Sequence, residues 1–127
     1  MNPILVVDDD ESYRELLVLT LEDHCEATQV HGFSAAAPLL RHLAGGAEPP
    51  CLVLLDLHLP EVHGVDLIDQ IRVLQPAVPI AFLSGAAAAE ARDACLAAGA
   101  FAFLCKPVSY SDLIRLLQDL LRSLPRA

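Results

Sequence analysis

Short apolar runs alternate with longer amphipathic stretches five times along the chain. Ile4-Leu5-Val6-Val7 predicts a strand buried on both faces, ended by Asp8-Asp9-Asp10. Residues Ser12 to about Asp23 then place Leu16, Leu17, Thr20 and Leu21 at helical spacing, with Ser12 and Glu15 as a capping-box pair. Thr28-Gln29-Val30 predicts a second strand whose polarity suits a sheet edge. Ser34 is the expected cap of a second helix to about Ala44, which starts late or bends at Pro38 and ends at Gly45-Gly46. Cys51 to Leu55 runs unbroken into Asp56 and is closed by Pro60, the pattern of a central strand. Gly64 to about Gln75 predicts a third helix, Ile80 to Leu83 a fourth strand and Ala86 to Ala98 a fourth helix. Phe101 to Cys105 predicts a fifth strand ending at Lys106-Pro107, and a last helix, capped by Ser109 or Ser111, reaches about Leu124.

Strands joined by helical crossovers of this length run parallel, with right-handed connections. The expected fold is therefore α/β, a three-layer sandwich on a five-stranded parallel sheet. Residues 1–124 form one domain, and 125–127 a tail or the start of a linker. Parallel strands also bring their C-terminal ends to one sheet edge, where such folds bind ligands. The residues at those ends are Asp8-Asp9-Asp10, Asp56, Ser84 and Lys106.

Composition narrows the function. A net charge of −9 argues against this chain gripping nucleic acid. No apolar run approaches the ~20 residues that span a bilayer, and the N-terminus begins on a strand-like segment without a signal peptide. The expectation is a cytoplasmic protein with no membrane partner. Cys25, Cys51, Cys95 and Cys105 lack C-x-x-C spacing and read as buried free thiols. Of eight basic residues seven are Arg, and Lys106 is the only Lys.

That lysine shapes the chemistry. Converging carboxylates at one sheet edge repel one another, and a divalent cation relieves the repulsion. Oxygen-only ligands suit Mg²⁺, with Asp9 and Asp56 direct, Asp8 direct or through water, and the His58 carbonyl as a further oxygen. An acidic run after a strand is also a common solvated helix start, and an Asp at a strand end often only stops the strand. A compact lysine charge and the Ser84 hydroxyl, however, suit a small anion such as phosphate. An aspartate nucleophile completes the set needed for phosphoryl transfer, and Asp56 on the central strand is best placed for it. His58 and His63 lack a third ligand and do not make a transition-metal site.

The motifs Ile4 to Asp10, Leu54-Leu55-Asp56-Leu57-His58-Leu59-Pro60 with Gly64, Phe82-Leu83-Ser84-Gly85-Ala86, and Gly99-Ala100 followed by Phe103-Leu104-Cys105-Lys106-Pro107 resemble the receiver domain of two-component response regulators. The resemblance covers essentially the whole chain. It implies a flavodoxin-like strand order 2-1-3-4-5 and phosphorylation of Asp56 by a histidine kinase or phosphotransfer protein. It further implies Mg²⁺ held by Asp8, Asp9 and Asp56, and phosphoryl oxygens bound by Ser84 and Lys106. A rotating Phe103 would remodel the surface of the fourth helix, fifth strand and fifth helix, which a second copy or an effector then reads. The Lys106–Pro107 bond would be cis. Such a domain is a phosphoacceptor that assists its own phosphorylation and dephosphorylation, not an enzyme in the usual sense.

Two rival readings stand beside it. A haloacid-dehalogenase-type phosphatase would use Asp8 as nucleophile and Asp10 as acid, but it needs a further acidic pair after its lysine and usually a cap. A receiver-like binding module that is never phosphorylated would not need the complete set of site residues. The apolar arc of the last helix is wide enough for Ile114 and Leu121 to serve a dimer or effector interface; broad core burial accounts for it equally well.

Overall fold

A strand that is apolar at every position and central in a sheet has to be covered on both faces, and residues 4–7, 52–55 and 80–83 are buried at every position. The computed structural model describes residues 2–27, 29–85 and 89–125. Its elements are β1 (Ile4–Val7), α1 (Glu11–His24), β2 (Val30–Phe33), α2 (Ala36–Ala44) and β3 (Leu52–Asp56), then α3 (Gly64–Leu74), β4 (Ile80–Ser84), α4 (Ala89–Ala97), β5 (Ala102–Cys105) and α5 (Tyr110–Arg122). All five strands are parallel, in the order β2-β1-β3-β4-β5. Alternate residues of each strand feed two separate cores. Leu5, Val7, Val53, Leu55, Ile80 and Phe82 pack with Leu39 and Leu43 of α2, Leu67, Ile68 and Ile71 of α3 and Cys95 of α4. Ile4, Val6, Leu52, Leu54, Ala81 and Leu83 pack with Leu17 and Leu21 of α1 and Leu113, Leu117 and Leu120 of α5. The three layers and the strand order are as expected.

Three local expectations change. Strand β2 begins at Val30, after Gln29; the expected start at Thr28 lies outside the described residues. Register sets this: Ile4 pairs with Val30 and Val7 with Phe33, so the edge strand reads Val-His-Gly-Phe. An edge strand covered on one side tolerates such a polar middle. Helix α1 is capped by Asp10, two residues before Ser12, because the Asp10 carboxylate accepts from the Tyr13 N–H at 3.2 Å. Helix α2 starts late, at Ala36, and its cap Ala35 offers no side-chain bond, so Ser34 does not cap it. Pro38 thereby falls in the first turn, where its missing N–H leaves no intrahelical bond unmade. The predicted start of α4 at Ala86 lies outside the described residues.

At the far end, Ser109 is the cap of α5, its hydroxyl accepting from the Asp112 N–H. Leu121 packs partly against the α1-side core, which accounts for part of the wide apolar arc; Ile114 is half-buried. The four cysteines are free thiols, but only Cys95 is fully buried. Cys105, at the exposed end of the edge strand β5, lies open to solvent, contrary to expectation. Burial pushes the thiols of Cys25, Cys51 and Cys95 above their ordinary value. Among the described residues no helix is long and apolar enough to cross a membrane.

Candidate functional site

The sheet ladder runs one residue beyond β1, β3 and β5, and this fixes the backbone there. Asp8 N donates to Phe33 O at 3.0 Å, Leu57 N to Leu83 O at 2.9 Å, and Lys106 N to Ser84 O at 2.8 Å. Asp8, Asp56, Ser84 and Lys106 therefore emerge side by side from β1, β3, β4 and β5. Asp8, Asp56 and Ser84 are buried, whereas Asp9 faces solvent.

The carboxylates of Asp8, Asp9 and Asp56 gather so that one oxygen of each lies within 4.8 Å of the others. Lys106 sits over two of them, its Nζ 3.3 Å from Asp8 Oδ2 and 3.5 Å from Asp56 Oδ1. Asp8 Oδ1 accepts from the backbone N–H of Asp10 at 2.9 Å, and the Asp8 carbonyl accepts from Arg14 Nη1 at 2.8 Å. Asp56 Oδ1 also accepts from the His58 N–H at 3.3 Å. His58 thus enters the site through its backbone while its side chain is exposed; neither it nor His63 belongs to the carboxylate cluster. Phe103 is half-buried against the core beneath, its ring centroid 6.3 Å from that of Phe82.

Burial raises the Asp8 carboxyl above its ordinary value, and the nearby Asp56 adds to this, while the Asp10 N–H and Lys106 oppose it. The sign for stability follows. A carboxyl that holds its proton more tightly when folded contributes full stability below its unfolded pKa, about 3.9, and loses it as pH rises through the higher folded value. In metal-free protein at neutral pH the ionised Asp8 is therefore a cost. Asp8→Asn, which keeps the oxygen that the Asp10 N–H uses, is expected to melt higher at pH 7 by roughly 2–5 °C, with the gain shrinking toward pH 4. Thermal melts in chelator across that range decide it; a variant less stable at every pH would show that the Lys106 pair outweighs burial.

One expected site feature is corrected. Among the described residues no peptide bond is cis, so the Lys106–Pro107 bond is trans. Lys106 N–H continues the β4–β5 ladder onto Ser84 O, and trans is the lower-energy isomer of a bond to proline by about 0.5–1 kcal/mol. Two contributors are not expected from sequence, Arg14 on the Asp8 carbonyl and Tyr13, whose ring lies under the Lys106 ammonium at 4.4 Å; Asp10 is expected at this edge, but not its N–H as the holder of Asp8. The Asp10 signal was present in the acidic run itself.

The sequence profile of the family described as "Response regulator receiver domain" matches residues 4–118. The chain belongs to this family. This receiver domain is 37% identical over 121 residues to the sensory/regulatory protein RpfC of Xanthomonas campestris pv. campestris, a match covering 92% of the chain and 16% of that protein. The chain thus spans about a sixth of the length of that relative. A 14.6 kDa protein of Leptolyngbya boryana is 37% identical over 125 residues, with 96% and 92% covered. Among solved structures, a CheY-like receiver domain protein of Methanospirillum hungatei superposes with a TM-score of 0.78 at 30% identity, covering 96% of this chain and 94% of that one. The receiver fold is that of a signalling domain of two-component systems, and its acidic pocket is consistent with a phosphoacceptor site. The phosphatase alternative loses its support with the family match. The acidic residues after Lys106 are exposed on α5, where Asp112 and Asp119 pair with Arg115 and Arg122.

Proposed function

We propose that Asp56 accepts a phosphoryl group from a histidine kinase or phosphotransfer protein, and that the change is passed to an output partner through α4, β5 and α5. The observation that carries this reading is the Lys106 ammonium poised within 3.5 Å of both Asp8 and Asp56 at the carboxyl edge of the sheet. Both contacts to Asp56 fall on Oδ1, so Oδ2 is assigned as the nucleophile. It attacks phosphorus, the bond from phosphorus to the donor's imidazole nitrogen breaks, and that electron pair stays on the imidazole. Lys106 and Ser84 receive the phosphoryl oxygens. Hydrolysis by water returns Asp56 and inorganic phosphate, so the domain is a switch rather than a turnover enzyme.

Mg²⁺ fits the cluster. Three carboxylates with one ammonium leave a net negative, oxygen-only donor set, the kind that binds Mg²⁺ together with phosphate oxygens. Asp8, Asp9 and Asp56 would hold it, with the His58 carbonyl as a further oxygen. When bound it supplies positive charge against the oxygens of the transferring group. Phe103, half-buried on β5, is the residue proposed to turn inward as Ser84 follows the phosphoryl group. The domain acts in the cytoplasm, without nucleic acid or membrane as its own partner; a second copy or an effector reads its surface.

The test is chemical mapping. Protein treated with Mg²⁺ and a small acyl-phosphate donor should gain one phosphoryl group, and reductive trapping followed by peptide mass analysis should place it on Asp56. A stable label on Ser84 or on a histidine would overturn the assignment.

A further inference from the structure

Tyr13 brings two unusual features to the edge of the site. Its ring carries the Lys106 ammonium 4.4 Å from the centroid, and its hydroxyl oxygen is buried with no hydrogen-bond partner among the described residues. Buried polar atoms are normally paired, so an orphan phenol in this position needs an explanation. The ring itself is well anchored. Tyr13 lies in the first turn of α1, its N–H is held by the Asp10 cap, and its side chain packs partly against the α1-side core.

Lysine is a point charge on a flexible four-carbon stem, and that mobility has to be restricted before the charge is useful in a transition state. Asp8 and Asp56, which hold the Lys106 ammonium from one side, belong to the reacting centre. Their pull on the ammonium changes when Asp56 is esterified and a phosphoryl group arrives. The Tyr13 ring face is the partner that the reaction leaves untouched. Burial, with the charges of Asp8 and Asp56 behind it, raises the phenol above its ordinary value, so the ring stays neutral and its electron-rich face stays available.

We propose that Tyr13 is a positioning residue for phosphoryl transfer, its ring face fixing the Lys106 ammonium at the mouth of the site while its hydroxyl takes no part. The proposal rests on the reading of Asp56 as phosphoacceptor. A purely space-filling role for Tyr13 would be met by any large apolar side chain, whereas a cation-holding role needs an aromatic face.

Tyr13→Leu and Tyr13→Phe separate the two. With Mg²⁺ and increasing acyl-phosphate donor, Tyr13→Leu is expected to slow labelling at saturating donor about three- to tenfold. Its Mg²⁺ affinity should stay within about twofold of the parent, and Tyr13→Phe should restore the parental rate. Leu labelling at the parental rate would overturn the proposal. So would Phe as slow as Leu, which would assign the role to the hydroxyl, or a loss of Mg²⁺ affinity matching the loss of rate, which would mean general loosening. A parent that takes no label refutes the phosphoacceptor reading instead, and the contact is then tested without phosphoryl chemistry. The chain has two Tyr and no Trp, so in a Tyr110→Phe background Tyr13 is the only emitter. Adding Lys106→Met should change its emission; unchanged emission would show that the ammonium does not rest on the ring.

Discussion

Asp56→Asn is expected to take up no phosphoryl group, from a small acyl-phosphate donor or from a partner histidine, at Mg²⁺ levels that label the parent fully. The substitution preserves shape. Asp56 closes β3, the central strand, and its backbone is held by the register with β4 and by the Leu57 N–H to Leu83 O bond beyond it. An amide keeps an oxygen for the His58 N–H but has no anionic oxygen to attack phosphorus. Folding should not suffer, because the change removes one of two buried carboxylates that share a single ammonium. Loss of label together with a retained or raised melting temperature would be specific to chemistry. Labelling at the parental rate would sink the Asp56 assignment. A pattern in which Asp8→Asn abolishes labelling and Asp56→Asn does not would revive Asp8 as the nucleophile.

How far the site could be read from sequence depended on how local its causes are. β1, β3 and β4 are buried on both faces, so their apolar runs are continuous and their ends, with Asp8, Asp56 and Ser84, could be located to the residue. Parallel topology then did the rest, since it brings strand ends together whatever their separation along the chain. β2 lies later than expected because an edge strand is covered on one side only and its polar residues carry no clear alternation; the pairing of Ile4 with Val30 and Val7 with Phe33 is what fixes His31 and Gly32 as strand. The α1 cap lies at Asp10 because its carboxylate reaches the Tyr13 N–H; Ser12 with Glu15 has an equally good local capping spacing, so the choice between them is not encoded locally. Tyr13 was illegible for a tertiary reason. Its contact with Lys106 exists because α1 and the end of β5 approach the same edge, and no spacing rule encodes that. The Lys106–Pro107 isomer was misjudged since the gap between cis and trans is smaller than any sequence signal.

Lys106→Met tests the centre of the proposal by removing the charge and keeping the apolar stem. Labelling by a small acyl-phosphate donor should slow by about 10²- to 10³-fold, the loss found when one preorganised donor to a developing oxyanion is removed. The same change leaves Asp8 and Asp56 buried without their cation. In chelator the variant should therefore be less stable than the parent, by about 1–3 kcal/mol, because the lysine side chain is 20% exposed and the pair is only partly desolvated. Those two carboxylates then repel each other unopposed, so Mg²⁺ should raise the melting temperature of Lys106→Met by more than it raises that of the parent. The opposite signs matter: the cation is lost to catalysis, yet the metal becomes more valuable to the fold. Melts with and without Mg²⁺, run beside the labelling rates, separate these effects. A variant that labels within about threefold of the parent but melts low would make Lys106 a structural counter-ion. In that case the phosphoryl oxygens would have to be held by Ser84 and the backbone alone.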